Sequence, residues 1–456
     1  IVRRMLYYRG GQTEDEIRER YFLTKPFTKK LLEELQSRES IVKDGEVYYH
    51  SRLYDRARNR MVKSLRLQTV TRPPESYASL MAGRIELHAP AEEQLKRAME
   101  QCCDKNLPVR QWESVIFRRR VKNYSETMLD RLLAQGDYFW KMAPDGNLSF
   151  HRYDDIDWGA GLPEAAEELE GDELLLYREL KRRGASFLKF LTGIPKEDSA
   201  QEVLLKLAAK GLVCADSFVP VRQWQNREKI RKATVRQRVN ARVMALSAGR
   251  WDIVRPVREK SREELLLRYF TEAVVLCRET FQKASMGDEF TWREALEILR
   301  VWEYTGRVRR GYFIEGMSGA QFIRKDDYEA VNALLQKSDE ELIWLNASDP
   351  AQIWGKILKQ PKEREFMNLP GTAVALLGGL PAAVLEKQGK TLRVFGDDAQ
   401  SRLDIILSGL VRDFREKKLF ADQKRLIVKD YPKYAGDSLK KAGFIHEMQD
   451  YVLYWP

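Results

Sequence analysis

One short pattern, a helix, a turn, a second helix and a β-hairpin, returns four times along this sequence of 456 residues. In the first copy a capping box that starts at Thr13 opens a helix over 14–22, and Thr28 opens a second helix with a leucine-rich face. An Asp-Gly turn then joins two short strands within 40–50. Two helices followed by a hairpin predict a winged helix. Such a module either contacts DNA through its second helix and wing or spaces and dimerises its neighbours.

The three later copies repeat this order of elements. Their second helices are predicted over 125–135, 201–210 and 292–302, and their hairpins follow within 137–152, within 211–221 and from 307 onwards. After 342 the pattern changes to β-favouring runs at 342–345, 372–377, 382–387 and 391–395, a helix over 400–420, and strands at 425–428 and 451–454. The predicted fold class is α+β and mainly α, with tandem winged-helix modules followed by a small β-barrel or α+β C-terminal domain.

A chain of this length exceeds what one hydrophobic core usually holds, so several domains are expected. Two prolines after Arg72 end a basic helix over 51–67 and mark the first boundary. The predicted domains are winged helix 1 with its basic connecting helix at 1–72, winged helix 2 at 73–170, winged helix 3 with a basic linker at 171–260, winged helix 4 at 261–340, and a closing β-barrel-like α/β domain at 341–456.

Lysine and arginine number 79 against 68 aspartate and glutamate residues, which gives a formal net charge of +11. That surplus favours a polyanionic partner, either nucleic acid or an acidic membrane surface. No apolar run reaches the length of a membrane-spanning helix, and the first eight residues are too short and too arginine-rich for a signal-peptide core. We therefore expect a cytoplasmic protein without a membrane partner.

The cysteines and histidines do not form a recognisable metal-binding pattern. The four cysteines lack a Cys-x-x-Cys spacing, and the pair Cys102-Cys103 would be strained if oxidised together. His446-Glu447 starts a zinc-protease motif, but Asp450 stands where the second histidine is needed. We expect reduced structural thiols and no metal site.

The stretch from 222 to 250 is the most informative part of the sequence, because nine cations there face a single acid, Glu228. These cations are Arg222, Arg227, Lys229, Arg231, Lys232, Arg236, Arg238, Arg242 and Arg250. Because a solvated helix normally mixes charges, this excess predicts a linker that tracks phosphates, and an ordinary solvated face is the alternative. We expect nucleic acid to bind the seven cations from Arg227 to Arg242.

Two further basic groups are candidates for nucleic-acid binding. The run Arg118, Arg119 and Arg120 could hold phosphates, or its arginine stems could cover apolar surface. In the fourth wing we expect Arg309 and Arg310 to bind phosphate oxygens and Tyr312 to stack on an unpaired base. Between them Gly311 is expected to let the backbone turn, and Phe313 is expected to pack in the core.

Several strings, in this order, resemble the C-terminal region of the bacterial large helicase-related (Lhr) family. They are Leu107-Pro108-Val109-Arg110-Gln111-Trp112-Glu113, Gly211-Leu212-Val213 with Asp216 and Phe218, Gly249-Arg250-Trp251, Arg309-Arg310-Gly311-Tyr312-Phe313-Ile314-Glu315-Gly316 with Gln321-Phe322, and Ala347-Ser348-Asp349-Pro350. The resemblance covers nearly the whole chain. It implies tandem winged helices with a β-barrel, as in AlkZ-type DNA glycosylases, and a part in DNA repair beside a superfamily 2 helicase core of the same polypeptide.

The resemblance also implies an ATP- and magnesium-dependent motor, but this chain lacks its motifs. A P-loop needs a glycine five residues before its final Gly-Lys-Ser/Thr, and Gly389-Lys390-Thr391 has Val384 at that position. No cofactor is therefore expected in this chain. Its predicted function is to grip DNA, with single strands preferred, and to support the motor.

Three alternative functions stay open. The resemblance implies a uracil-DNA glycosylase, for which Asp349 is the catalytic candidate and Asp450 a weaker one, although Asp349 before a proline is also an ordinary turn residue. The second alternative is a homo-oligomerisation scaffold. The third is a transcription regulator that reads a specific site, and the sequence offers no effector-binding domain for it.

Overall fold

The computed structural model of this chain describes residues 1–85, 88–164, 169–246, 249–286, 289–336 and 341–455. The chain divides into two compact units, which do not follow sequence order. The first unit combines Ile1–Arg72 with Ala273–Ala333, and the second combines Pro73–Glu272 with Leu334–Pro456. The N-terminal winged-helix pattern therefore shares a unit with most of the fourth copy.

The first module, in the first unit, is a complete winged helix. It consists of the helices Val2–Arg9, Glu14–Tyr21 and Lys25–Ser37 and the strands Gln12–Thr13, Ile41–Asp44 and Val47–His50. The predicted capping box is confirmed, since Thr13 Oγ1 accepts from the Glu16 amide while the Glu16 carboxylate accepts from the Thr13 amide. Leu6, Ile17 and Leu32 pack with both hairpin strands in a small core. The predicted hairpin is also confirmed.

The fourth module is also a winged helix. Its elements in the first unit are the helices Arg278–Ala284 and Trp292–Thr305, the strands Val308–Gly311 and Gln321–Arg324, and most of the following helix Lys325–Gln336, whereas the preceding helix Arg262–Ala273 lies almost entirely in the second unit. Leu276 makes a β-bridge to Phe322 and takes the place of a third strand. The helix predicted over 292–302 and the start of the wing are confirmed. Thr291 and Glu294 form a capping box at the start of the helix Trp292–Thr305.

A long helix, Ser51–Leu67, follows the first module and packs against the helix Trp292–Thr305 within the first unit. Arg66 donates to both carboxylate oxygens of Glu303, at 2.6 and 2.7 Å. Arg58 donates to the Tyr304 carbonyl at 2.7 Å, and the Tyr304 hydroxyl bonds to Asp55. The helix Trp292–Thr305 is therefore partly covered by the helix Ser51–Leu67.

Gly311 has a different role from the predicted backbone turn. It lies in the strand Val308–Gly311 and is not one of the glycines with a left-handed φ. A Cβ on Gly311 would lie 2.5 Å from Oγ1 and 2.6 Å from Cγ2 of Thr69, just beyond the end of the long helix. Glycine is needed here because the strand and the segment after the long helix approach closely. The prediction that Gly311 lets the backbone turn was wrong.

We expect Gly311→Ala to lower the free energy of unfolding by about 1–3 kcal/mol, because Thr69 must shift to admit the methyl group. Chemical denaturation measures this loss. Gly83→Ala is the matched control, since Gly83 ends a helix and a Cβ there would meet nothing within 4 Å. Equal stability of the two variants would contradict the close approach.

The second unit contains two more winged helices that share one core. The helices of the second module are Ala91–Cys102, a helix over 109–120 with a π-helical centre at Trp112–Phe117, and Glu126–Ala134, and its strands are Leu107–Pro108, Tyr138–Met142 and Asn147–Arg152. The helix Pro74–Gly83 precedes it. The helix predicted over 125–135 and the hairpin predicted within 137–152 are confirmed.

The third module corrects the prediction for its wing. Its elements are the helices Gly171–Arg183 and Ala200–Ala209, a short 3-10 turn at Leu188–Phe190, and the strands Ser186–Phe187, Val213–Ala215 and Arg250–Ile253. Val213–Ala215 pairs with Arg250–Ile253, whereas the predicted second strand at 218–221 lies mostly in a helix. Pro220 has an apolar strand-like context, but proline also fits the first turn of a helix.

Three helices therefore stand between the two strands of the third wing. We call residues 219–246 the insertion, and its helices are Val219–Gln225, Arg227–Arg231 and Val235–Leu246. The basic stretch predicted to be a linker after the module lies mainly in this insertion. It returns to the same sheet through Arg250–Ile253.

The closing domain contains two antiparallel sheets. The first has the strands Leu342–Asn346, Ala373–Leu377, Leu380–Glu386 and Thr391–Val394 in sequence order, and the second has Arg425–Val428, Asp450–Tyr454 and Ile445–Glu447. The predicted strands are confirmed, while the predicted long helix is replaced by Gly396–Ser401 and Leu403–Arg415, with a further helix Gly436–Lys441. Among the described residues the sheets do not close into a barrel, so the α+β class is confirmed and the barrel is not.

Candidate nucleic-acid interface

The insertion presents six cations to solvent. We call them the insertion surface, and they are Arg227, Lys229, Arg231, Lys232, Arg236 and Arg238. None of the six forms an ion pair with any residue that the structure describes. Unpaired exposed guanidinium and ammonium groups remain available for phosphate oxygens.

The other cations of the basic stretch are in different environments. Arg222 binds Glu113 at 3.0 Å and Asp130 at 2.7 Å, and its pKa is raised because these carboxylates outweigh the cost of burial. Arg250 binds Asp216 at 2.9 Å. The side chain of Arg242 lies outside the described residues. In the basic stretch, Arg222 and Arg250 are therefore held in ion pairs, whereas the six cations of the insertion surface are exposed.

Arg222 also ties the start of the insertion to the helix Glu126–Ala134 of the second module. It donates to the Glu126 carbonyl, and Asp130 on the same helix accepts from the Phe218 amide at 2.7 Å and the Ser217 hydroxyl at 2.9 Å. This helix therefore holds the start of the insertion. Sequence reasoning missed that role, although the acids at 126 and 130 were the available signal.

Two clefts in the second unit flank the insertion. The wide cleft has a volume of about 960 Å³ and is lined by the insertion and the Ala200–Ala209 helix. The narrow cleft has a volume of about 460 Å³ and is lined by the insertion, the 109–120 helix and the closing domain. Trp224 and Arg227 line both clefts, and the Arg227 guanidinium lies 4.5 Å from the centre of the Trp224 ring.

The arginine run at 118–120 lies mostly away from solvent. Arg118 is half-buried and lies 5.9 Å from the centre of the Tyr124 ring. Arg119 is buried and donates through Nε to the Trp344 carbonyl at 3.0 Å. Arg120 is buried in an ion pair with Asp349. Neither of these two buried guanidinium groups reaches solvent, so they are not part of the exposed surface.

Asp349, the predicted catalytic carboxylate, is completely buried. Arg120 donates to both of its oxygens at 2.7 Å, and the Ala351 amide donates to Oδ1 at 2.8 Å. Burial alone would raise the pKa of Asp349, but attraction and hydrogen bonds from Arg120 outweigh it and lower the pKa. Both oxygens of the carboxylate are bonded within the protein, and its catalytic role stays a prediction. The weaker candidate Asp450 pairs with Lys429 at 3.2 Å.

The wing of the fourth module holds the remaining predicted residues. Arg309 and Arg310 are half-buried, and Arg309 lies 3.9 Å from the centre of the Tyr328 ring. Tyr312 is 62% exposed, whereas Phe313 is buried, so the expectation that Phe313 packs in the core is confirmed. The structure brings Arg309, Arg310 and Tyr312 together in the first unit, whereas the insertion surface lies in the second.

The four cysteines are buried and free, and burial raises their pKa values, to about 12 for Cys103 and about 11 for Cys277. Among the described residues no group of three or more histidine, cysteine, aspartate or glutamate residues could hold a metal ion. In the same part of the chain, no helix has the length and apolar character to cross a membrane.

These modules define a protein of tandem winged helices. Two family models, each described as a winged-helix domain of the large helicase-related protein, match this chain, one at residues 73–152 and the other at residues 257–343. The resemblance to the C-terminal region of the Lhr family is confirmed, and the chain carries two winged-helix domains of that family.

Two full-length relatives agree with this assignment. "Lhr helicase/ probable uracil glycosylase" of Mycolicibacterium smegmatis is 27% identical over 398 residues, and "Lhr helicase/uracil glycosylase" of Escherichia coli is 25% identical over 419 residues. The alignments cover 78% and 81% of this chain but 26% of each relative, so the chain spans about a quarter of their length.

One solved structure, the Streptomyces sahachiroi DNA glycosylase AlkZ, resembles this chain with a TM-score of 0.42 and 12% sequence identity. The match covers 77% of this chain and 98% of AlkZ. The likeness is remote, and no functional conclusion follows from it.

Proposed function

We propose that this chain is a DNA-binding region that holds a single strand by its phosphates on the insertion surface, beside a helicase motor elsewhere in the same polypeptide. The observation that carries this proposal is the row of six exposed, unpaired cations between 227 and 238. One acid, Glu228, stands among them. The names of the two relatives, both helicases, support a DNA partner.

The surroundings of the insertion surface favour a single strand over a duplex. Trp224 is half-buried and lines both clefts beside Arg227. An aromatic face can stack on an unpaired base but not on a base inside a duplex, whereas the cations bind phosphates of either form. In this proposal Arg309, Arg310 and Tyr312 form a separate contact in the first unit.

The salt dependence of binding tests the role of the insertion surface. We expect simultaneous Lys229→Gln, Arg231→Gln and Lys232→Gln changes to make the slope of log K against log salt less steep by about 2, since each phosphate contact contributes about 0.7 for single strands. Fluorescence anisotropy of a labelled single-stranded oligonucleotide across salt concentrations measures this slope.

A matched control removes three cations that already have partners. Lys181 pairs with Glu164, and Arg182 and Arg183 pair with Glu179. Their combined replacement by glutamine should leave the slope nearly unchanged. An unchanged slope in the insertion variant, or equal loss in both variants, would contradict the proposal. A complementary duplex of equal length should bind more weakly than the single strand.

A second candidate function is excision of uracil, which the names of both relatives favour. It predicts alkali-labile sites after this chain is incubated with an oligonucleotide that contains one deoxyuracil. Asp349→Asn tests the predicted catalytic aspartate better than Asp349→Ala, because the amide keeps the size of a buried side chain that also binds Arg120. Intact strands after incubation would rule this candidate out.

A further inference from the structure

The narrow cleft has the lining that an unpaired nucleobase requires. Trp224 packs against the core shared by the second and third modules, and Phe420 packs against the core of the closing domain. Both are half-buried and line the cleft, so it has an aromatic side chain from each core. Its volume of about 460 Å³ lies within the range of roughly 300–1,000 Å³ typical of small-ligand sites.

Gln111 supplies an uncommitted polar group in this lining. It is 9% exposed, and its side-chain amide has no hydrogen-bond partner among the described residues. Of the other amides in the cleft, Asn346 bonds to the Pro370 carbonyl and to Ser348, Gln423 bonds to Gln388, and the half-buried Gln225 is the second side-chain amide without a partner among the described residues. The amide atoms of Gln111 are not sealed from solvent, so a ligand in the cleft can reach them.

The charges at the cleft connect it to the insertion surface. Arg227 belongs to both, and Arg110 at the start of the 109–120 helix is exposed in the same lining. Asp422 is the one acid in that lining and is exposed. Two cations can hold the phosphates on either side of a base that leaves the strand.

We propose that the narrow cleft takes one unpaired nucleobase of the bound strand, stacked on Trp224 or Phe420 and hydrogen-bonded at its edge by Gln111. A glutamine amide offers one acceptor and two donors, which matches the paired donor and acceptor atoms of a base edge. This proposal rests on the proposed DNA binding. It adds a contact that depends on the base rather than on the phosphates.

Competition between two oligonucleotides of equal length tests this contact. One is an ordinary single strand, and the other replaces three central nucleotides with abasic residues, so both have the same number of phosphates. We expect wild type to bind the ordinary strand about tenfold more tightly, which is within the usual range for base stacking. Gln111→Leu, Trp224→Leu and Phe420→Leu should each reduce this preference while the salt slope stays nearly unchanged.

Trp158→Leu is the matched control, since Trp158 is an exposed tryptophan of the same unit with Arg255 lying 4.9 Å from its ring centre. It should keep the full preference for the ordinary strand. Circular dichroism checks that each variant is folded. Variants that keep the wild-type preference would overturn the base site while leaving DNA binding intact. Failure of wild type to bind either strand would overturn both proposals.

A fluorescent base gives a readout that a purely structural role would not move. We expect 2-aminopurine in the single strand to lose fluorescence on binding, because stacking on an aromatic ring quenches it, and Gln111→Leu to weaken this quenching. If the Gln111→Leu chain is folded and quenches as strongly as wild type, Gln111 does not hold the base.

Discussion

Replacing Arg120 with alanine is expected to lower the free energy of unfolding by about 3–5 kcal/mol. Arg120 and Asp349 are both buried, with 4% and 0% of their side chains exposed. Removal of the guanidinium leaves a buried carboxyl group without its charged partner, and its remaining donor, the Ala351 amide, cannot replace two bonds from arginine. Urea denaturation followed by tryptophan fluorescence measures the loss.

The pair joins the second module to the closing domain, which makes the comparison variants informative. Arg131→Ala removes an arginine of the same module whose ion pair with Glu92 is exposed, and it should cost about 1 kcal/mol or less. The double variant Arg120→Met with Asp349→Leu should recover much of the loss, since neither charge is then left alone. A cost for Arg120→Ala as small as that for Arg131→Ala would contradict the buried pair.

This result also bears on the catalytic prediction for Asp349. If Asp349→Ala abolished base excision and also unfolded the chain, the loss of activity would say nothing about chemistry. Asp349→Asn, measured for stability and for excision together, separates the two roles. A folded Asp349→Asn chain that still excises uracil would remove Asp349 from the reaction.

Local sequence patterns predicted most elements of the fold. The capping box at Thr13 and the Asp44-Gly45 turn depend on neighbours within a few residues, and both are confirmed. The two-residue strands, such as Gln12–Thr13, were missed because their pairing depends on a distant strand. The third wing was wrong for the same reason, since its second strand lies beyond a three-helix insertion.

The candidate site was only partly visible in the sequence. The charge excess after 222 predicted a basic surface, but the anchoring of Arg222 depends on Glu113 and Asp130, which precede it by many residues. The burial of Arg119 and Arg120 likewise depends on strand and turn residues of the closing domain. A run of cations indicates charge density, and only tertiary contacts decide which of them reach solvent.

The narrow cleft had even less signal in the sequence. Gln111 lay inside a family-like string, but nothing local distinguishes an unpaired buried amide from an exposed one. Phe420 was predicted as the last residue of the helix over 400–420 and belongs to no motif. The cleft forms only where the second module, the insertion and the closing domain meet within the second unit.

A buried charge network in the second unit gives the other large expected effect. Asp104 accepts from His151 at 2.7 Å and from Lys260 at 2.6 Å, and Arg268 lies 3.5 Å away. Lys260 also pairs with Asp155 at 2.9 Å. Burial alone would raise the pKa of Asp104, but these hydrogen bonds and charges hold it well below its ordinary value. The network ties the segment before the fourth module to the second module.

We expect Asp104→Asn to lower the free energy of unfolding by about 3 kcal/mol at pH 7, because Lys260 and Arg268 lose a buried negative partner. A carboxylate with a depressed folded pKa stabilises the fold above its unfolded pKa of about 4 and loses that contribution as pH falls toward the folded value. The difference between wild type and variant should therefore shrink below about pH 4. Thermal unfolding from pH 3 to 8 measures it, with Glu92→Gln, an exposed partner of Arg131, as the control. A difference that stays constant down to pH 3 would mean that the charge of Asp104 is not what stabilises this contact.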